Sequence, residues 1–271
     1  MTKLFRIIPK IDIKEKNLVK GLRMEGLRVL GKAEDFANFY YNNGADEIIF
    51  HDILASLYEK NTIYETIHNS SSSIFIPITV CGGIRTVGDI KKTLNNGADK
   101  VVCNSAIIKN SNLLDSFSKI FGSSTITINI ETLEQDNNFY ACTENARNKT
   151  NLNVIEWAKK CEQLGAGEIL ITLINYDGTG MGCNFKFLEK LRENISIPIV
   201  VNGGIGKLEH IEKLINIGID GAAISSMFHY KAVRNIDNKN NNFSEGNLDF
   251  LNYDGKDKFY QRNIELFTPS E

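Results

Sequence analysis

The words "PITVCGGIRTV" at positions 77–87 return as "PIVVNGGIGKL" at positions 198–208. Aligned without gaps, residues 77–105 and 198–226 are identical at 12 of 29 positions. The same offset of 121 residues lays "NGADEIIFHDI" (43–53) on "LGAGEILITLI" (164–174). Gly44, Ala45, Glu47 and Ile48 then fall on Gly165, Ala166, Glu168 and Ile169. Two distant segments that share one offset mark a duplicated half, not two short motifs. Few folds accommodate such a chain, because both halves must close on one core.

Each half alternates short β-rich runs with runs of helical period. Strands are expected at "RIIPKID", "EIIFHDI", "FIPITVC", "KVVCNS", "TITINIE", "EILITLI", "IPIVVN" and "GAAISS". Between them, segments such as "TVGDIKKTLNNGA" and "KLEHIEKLINIGID" place apolar residues at helical spacing and end near a glycine. Strand and helix in alternation predict a parallel sheet with right-handed crossovers. Eight strands in two like halves predict a (β/α)8 TIM barrel with a two-fold internal repeat, over residues 1–230. An open doubly wound sheet gives no reason for the duplication. Residues 231–271 break the rhythm with "NIDNKNNNFSEGN", a polar C-terminal extension with room for a final helix.

Composition narrows the class. With 271 residues, 42% hydrophobic and 24% charged, the chain suits one large buried core. A net charge of −2 offers nothing to nucleic acid or to an anionic membrane surface. No apolar run approaches the roughly 18 residues of a membrane span, and the start lacks a signal-peptide core, which predicts a cytoplasmic protein. Five cysteines form no C-x-x-C pair, so reduced thiols are expected and neither a metal nor a cofactor. Cys81 is read as strand packing and not as a nucleophile.

In a barrel of this kind chemistry gathers where strands end. Those ends carry Asp12, Asp52, Gly82 with Gly83, Asn104 with Ser105, Glu131, Asp177, Gly203 with Gly204, and Ser225 with Ser226. A glycine pair there lets backbone N–H groups approach an anion that side chains would keep away. Asn104, Ser105, Ser225 and Ser226 add donors one strand over. Two such nests predict a ligand with a phosphate at each end. Asp12 and Glu131 occupy nearly matching places in the two halves and suit acid and base work between the nests. At the opposite ends, Arg6, Glu47, Lys100 and Glu168 each begin a strand. Pointing outward they are ordinary surface ion pairs; pointing inward they form a charge-balanced ring across the floor.

Together these residues resemble the cyclase subunit of imidazole glycerol phosphate synthase. The likeness spans about residues 4–230, through "RIIPKIDIK", "VKG", "GADEIIFHDI", "GGI", "GADKV", "GAGEIL", "DGT" and "GGIGKLEH". It implies a lyase of histidine biosynthesis that forms a heterodimer with a glutaminase docked on the barrel floor. Ammonia would pass a gate of Arg6, Glu47, Lys100 and Glu168, cross the lumen, and attack a bis-phosphorylated ribulosyl intermediate at the top. The products would be imidazole glycerol phosphate and an aminoimidazole carboxamide ribotide. Asp12 matches one of the family's two catalytic aspartates. The paired glycines, Asn104, Ser105, Asp177, Gly178, Ser225 and Ser226 match its phosphate-binding positions, Lys20 a lysine beside its mobile first loop, and Asp52 and Thr172 complete the mouth.

Two residues depart from the family pattern. Glu131 replaces the second aspartate, keeping the acid but moving the carboxyl by about 1 Å, enough to cost roughly 100-fold in rate. Lys10 stands where the family has a small or apolar residue, and by strand alternation it should share the lumen with Arg6 and Asp12. "PKIDIK", "EGLRVLGKAEDF" and the strand-five glutamate are similar to a paralogous branch that supports amidation or amidination of surface sugars. There the barrel would relay ammonia to a third, amidotransferase-like partner and need not cyclise anything. The related sugar isomerase of histidine synthesis, also a two-phosphate barrel, lacks the ammonia gate.

Overall fold

The computed structural model describes residues 4–55, 63–233 and 235–236. Its first half runs β1 (Arg6–Lys14), a hairpin of β2 (Asn17–Leu22) and β3 (Glu25–Lys32), and α1 (Ala33–Asn42). It continues through β4 (Ile48–Asp52), α2 (Tyr64–Ser71), β5 (Ile78–Cys81), α3 (Val87–Asn95), β6 (Lys100–Cys103), α4 (Ser105–Lys109) and α5 (Asn112–Phe121). The second half repeats that plan with β7 (Ile126–Gln135), a hairpin of β8 (Asn138–Thr143) and β9 (Asn148–Asn153), and α6 (Val154–Gln163). It ends with β10 (Glu168–Leu173), α7 (Phe185–Asn194), β11 (Ile199–Asn202), α8 (Leu208–Asn216), β12 (Gly221–Ile224) and α9 (Ser226–Val233).

β1, β4, β5, β6, β7, β10, β11 and β12 pair in that order, all parallel, and β12 returns to β1. The expected (β/α)8 barrel and its eight strands are borne out. Strands such as β4 and β11 are buried at every position, as a parallel sheet covered on both faces requires. Period-two alternation then divides the side chains. Ile8, Ile49, Cys81, Val102, Leu170, Val200 and Ala223 form a separate apolar cluster within the ring of strands. Outward residues such as Ile48, Phe50, Ile78 and Val80 pack with Phe36 and Ala37 of α1. All five cysteines are buried and unpaired.

Helix starts follow local chemistry. Thr86 and Asp89 form a reciprocal capping box on α3, while Asn153 and Asn184 cap α6 and α7. α8, the duplicate of α3, has Lys207 in place of the threonine and no side-chain cap. Gly44, Gly97, Gly165 and Gly218, which leave the helices at matching turns, all have positive φ (+83°, +102°, +97°, +81°). That is why the "NGAD" and "LGAG" turns repeat.

The two hairpins are additions that the strand reading did not separate out. They pair antiparallel onto β1 and β7, through Ile13 with Leu18 and Glu131 with Cys142, and so extend from the mouth end of the barrel. Asp136 and Asn137 at one tip have φ of 52° and 59°, the conformation a tight two-residue hairpin needs. α9 ends at Val233; residues 237–271 of the C-terminal extension lie outside the described residues. No described helix is long and apolar enough to cross a membrane.

Candidate active site at the barrel mouth

β1 carries the axis of the molecule on one face. Arg6, Ile8, Lys10 and Asp12 alternate inward, so a single strand supplies a floor charge, an apolar lining residue and two mouth charges.

On the floor, Arg6 Nη1 lies 2.8 Å from Glu47 Oε2, and its Nη2 bonds to Glu168. Lys100 Nζ lies 2.7 Å from Glu47 and 3.4 Å from Glu168. The four charges therefore alternate in a closed ring. Thr79 donates to Glu47 at 2.6 Å and Thr127 to Glu168 at 3.3 Å, which fixes the carboxylates. Glu47 is buried, so its two cations offset a desolvation cost that one partner alone would not cover. The structure thus places these four side chains inward and not out in water.

Above the apolar layer the mouth is polar and buried. Asp12 Oδ1 accepts from Lys10 Nζ and, at 2.9 Å, from His51 Nδ1. Lys20 Nζ stands 3.8 Å from Asp12 Oδ2 and donates to both Asp177 oxygens at 3.0 Å. Burial alone would raise the affinity of Asp12 for a proton, but Lys10, His51 and Lys20 hold its carboxyl well below the usual range. Glu131 goes the other way. Burial pushes its carboxyl up, opposed by the Ala146 N–H, which donates to Oε2 at 2.7 Å. Two carboxyls of the mouth, in adjoining cavities, thus have their proton affinities pushed apart, the pattern that separates an acid from a base.

The glycine pairs are conformationally required. Gly82 and Gly203 have φ of +107° and +101°, and a Cβ would lie 2.3 Å from the Asp52 carbonyl oxygen and 2.7 Å from that of Leu173. Gly83 and Gly204 follow with φ of 72° and 83°. One cavity joins Gly82, Gly83, Asn104, Ser105 and Glu131; another joins Asp177, Gly178, Gly203, Gly204, Ser225 and Ser226. A third, with Lys10, Asp12, Lys20 and Thr172, shares His51 and Asn145 with the first.

Several side chains are less free than their residue types suggested. Ser225 donates its hydroxyl proton to the Lys10 carbonyl at 2.9 Å, so its side chain is not an open donor. Asn104 donates to the Cys142 carbonyl at 3.2 Å, and its buried Oδ1 has no partner among the described residues. Ser105 Oγ accepts the Glu144 N–H at 3.1 Å, leaving its own proton available. Asp52 turns back to accept N–H bonds from Leu54 and Ala55, both at 3.0 Å, and shapes its own loop. Thr172 donates to Asn129 at 2.8 Å.

Sequence reading passed over His51. It chose Asp52 as the acid at the end of β4, yet Ile49 faces the lumen and two residues on from it is His51. The one-residue phase of a strand decides which face a side chain takes. Ala146 was also missed. It acts through its backbone, in a turn where Glu144, Asn145 and Ala146 all have positive φ (59°, 56°, 65°). Nothing in the residue types announces that role.

Fold and mouth define a class: a (β/α)8 barrel of two fused half-barrels, with a polar mouth between glycine-lined cavities and a ring of alternating charge on its floor. A family model described as "Histidine biosynthesis protein" matches residues 6–234. The imidazole glycerol phosphate synthase subunit HisF of Legionella pneumophila is 42% identical over 205 residues, covering 75% of this chain and 97% of the relative. The subunits of that name from Petrotoga mobilis and Lysinibacillus sphaericus are 37% and 39% identical, each over 83% of this chain and 90% and 91% of their own length. The chain belongs to the histidine-biosynthesis protein family, among the HisF-type subunits of imidazole glycerol phosphate synthase. The resemblance read from the motifs is borne out.

Proposed function

We propose that this barrel is the cyclase subunit of an imidazole glycerol phosphate synthase, joining ammonia to a bis-phosphorylated ribulosyl intermediate at its mouth. The observation that carries the reading is that Asp12 and Glu131 line adjoining cavities sharing His51 and Asn145, their proton affinities displaced in opposite senses, with a glycine nest on either side. Gly82 and Gly83 with Ser105 would take one phosphate, and Gly178, Gly203, Gly204 and Ser226 the other. Lys20 and Asp177 tie the first hairpin over the second nest. Glu131 is the group able to hold a proton, and Asp12 stays ionised beside the reacting carbons.

A glutaminase subunit would dock against the floor, where Arg6, Glu47, Lys100 and Glu168 surround the lumen entry, and form a heterodimer. Ammonia released there would enter the apolar lumen as the neutral molecule, because the buried apolar layer of Ile8, Ile49, Leu170 and Val200 disfavours the ammonium ion. No metal or cofactor takes part in this reading.

Lys10 favours one competing reading. A lysine bonded to Asp12 at the upper end of the lumen suits a subunit that relays ammonia to a third, amidotransferase-like enzyme acting on a surface sugar. One assay separates the two: the bis-phosphorylated intermediate is supplied with ammonium chloride and imidazole glycerol phosphate is measured. Product formation supports the cyclase. Binding of the intermediate without turnover selects the relay.

A further inference from the structure

Asp12, His51 and Cys81 are consecutive register partners across β1, β4 and β5. His51 Nδ1 lies 2.9 Å from Asp12 Oδ1, and Lys10 Nζ bonds to the same oxygen. Lys10, His51 and Lys20 keep Asp12 ionised, so its oxygens only accept, and Nδ1 is the donor and carries a hydrogen. That leaves Nε2 as the ring nitrogen through which protons come and go. His51 lines both the cavity containing Asp12, Lys20 and Asp177 and the cavity containing Gly82, Gly83 and Glu131. It therefore stands at the junction that a ligand stretched between the two nests must cross.

We propose that His51 is an acid–base group of the mouth, with Asp12 as its orienting carboxylate and Lys10 as the charge that keeps that carboxylate ionised. The inference rests on the cyclase reading and gives Asp12, the ionised carboxylate of that reading, the work of a positioning residue. Oδ1 of Asp12 accepts from two donors, and the Lys20 ammonium lies 3.8 Å from Oδ2, too far for a hydrogen bond but close enough to help keep the carboxyl ionised. Nδ1 being held by Asp12, the other partner of the ring is the sulfur of Cys81, which hydrogen-bonds it and strengthens its hold on a proton.

The groups around the ring are Lys10 and Asp12 from β1, Lys20 from β2, Cys81 from β5 and Glu131 from β7. Burial and the Lys10 charge loosen the ring's hold on a proton, and Cys81 and Asp12 outweigh them, bringing His51 to about 10. The ring is then an imidazolium near neutral pH, ready to donate. As ammonia adds to the ribulosyl carbonyl carbon, the C–N bond forms and the carbonyl π pair moves onto oxygen. Nε2–H gives that oxygen its proton. The added nitrogen then carries one proton in excess, which returns to Nε2 and restores the imidazolium.

The test pairs an NMR titration of the His51 ring nitrogens in the full chain with ammonium-driven turnover of the intermediate. Asp12→Asn should lower the titration midpoint of His51 by about one pH unit or more, as loss of an adjacent opposite charge does. His51→Asn keeps a donor toward Asp12 but cannot titrate. It should lower kcat by about 100-fold, the lower end of acid–base contributions, while KM stays within about threefold. A midpoint unmoved by Asp12→Asn, or a His51→Asn enzyme within about threefold of the wild-type kcat, overturns the proposal. Failure of the wild-type chain to turn over the intermediate would remove the cyclase reading, and the titration would still decide whether Asp12 governs His51.

Discussion

Lys20, on the first hairpin, donates to both carboxylate oxygens of Asp177, 157 residues away in sequence, at 3.0 Å each. Both side chains are buried, and Asp177 also accepts the Met24 N–H at 3.3 Å while its carbonyl takes that of Arg23 at 3.0 Å. One carboxylate thus anchors a whole hairpin to the loop after β10.

Removing half of this pair strands a buried charge. Lys20→Met should destabilise the protein by about 3–5 kcal/mol, far more than loss of a surface ion pair. Urea unfolding measures it. A change below about 1 kcal/mol would mean that water already reaches Asp177.

His229 gives an acid-sensitive element. Its Nε2 faces the Lys10 carbonyl at 3.0 Å and must donate, so Nδ1 accepts from the Tyr40 hydroxyl at 2.6 Å. Burial lowers the ring to about 3, and nearby Lys20 adds to the shift. The folded ring therefore stays neutral while the unfolded one takes a proton below about 6.5. Stability is unaffected above that pH and falls by about 1.4 kcal/mol per pH unit from about 6.5 toward about 3. His229→Asn should flatten that part of a stability–pH curve measured by thermal melts. An unchanged slope would assign the acid lability to the carboxylates.

Gly82 should tolerate no side chain. With φ at +107° and the Asp52 carbonyl oxygen 2.3 Å from the position of a Cβ, Gly82→Ala combines strain with a clash against backbone. A loss of about 1–3 kcal/mol is expected, with weaker inorganic phosphate binding by calorimetry. Gly26 is the comparison for strain without a clash, since its φ is +64° but a Cβ there meets nothing within 4 Å. Gly26→Ala should leave phosphate binding as it was.

Glu131→Gln preserves shape and can still accept the Ala146 N–H, yet holds no exchangeable acid. Turnover with ammonium salts should fall by about 100-fold or more with KM little changed. Equal loss in KM would make Glu131 a binding residue and not an acid.

Much of this was legible in the sequence for a physical reason. Duplication, strand and helix periodicity and the glycine pairs are local properties, written in neighbouring residues. They determined an eight-stranded barrel of twin halves, and they located Asp12, Glu131 and both nests. Tertiary structure alone decided the rest. Lys10 reaches Asp12, His51 displaces Asp52 as the inward residue of β4, Ser225 spends its proton on Lys10, and Lys20 finds Asp177. Each of these depends on the phase of a strand or on closing β12 against β1, and closure sets distances between residues that no short stretch of sequence contains.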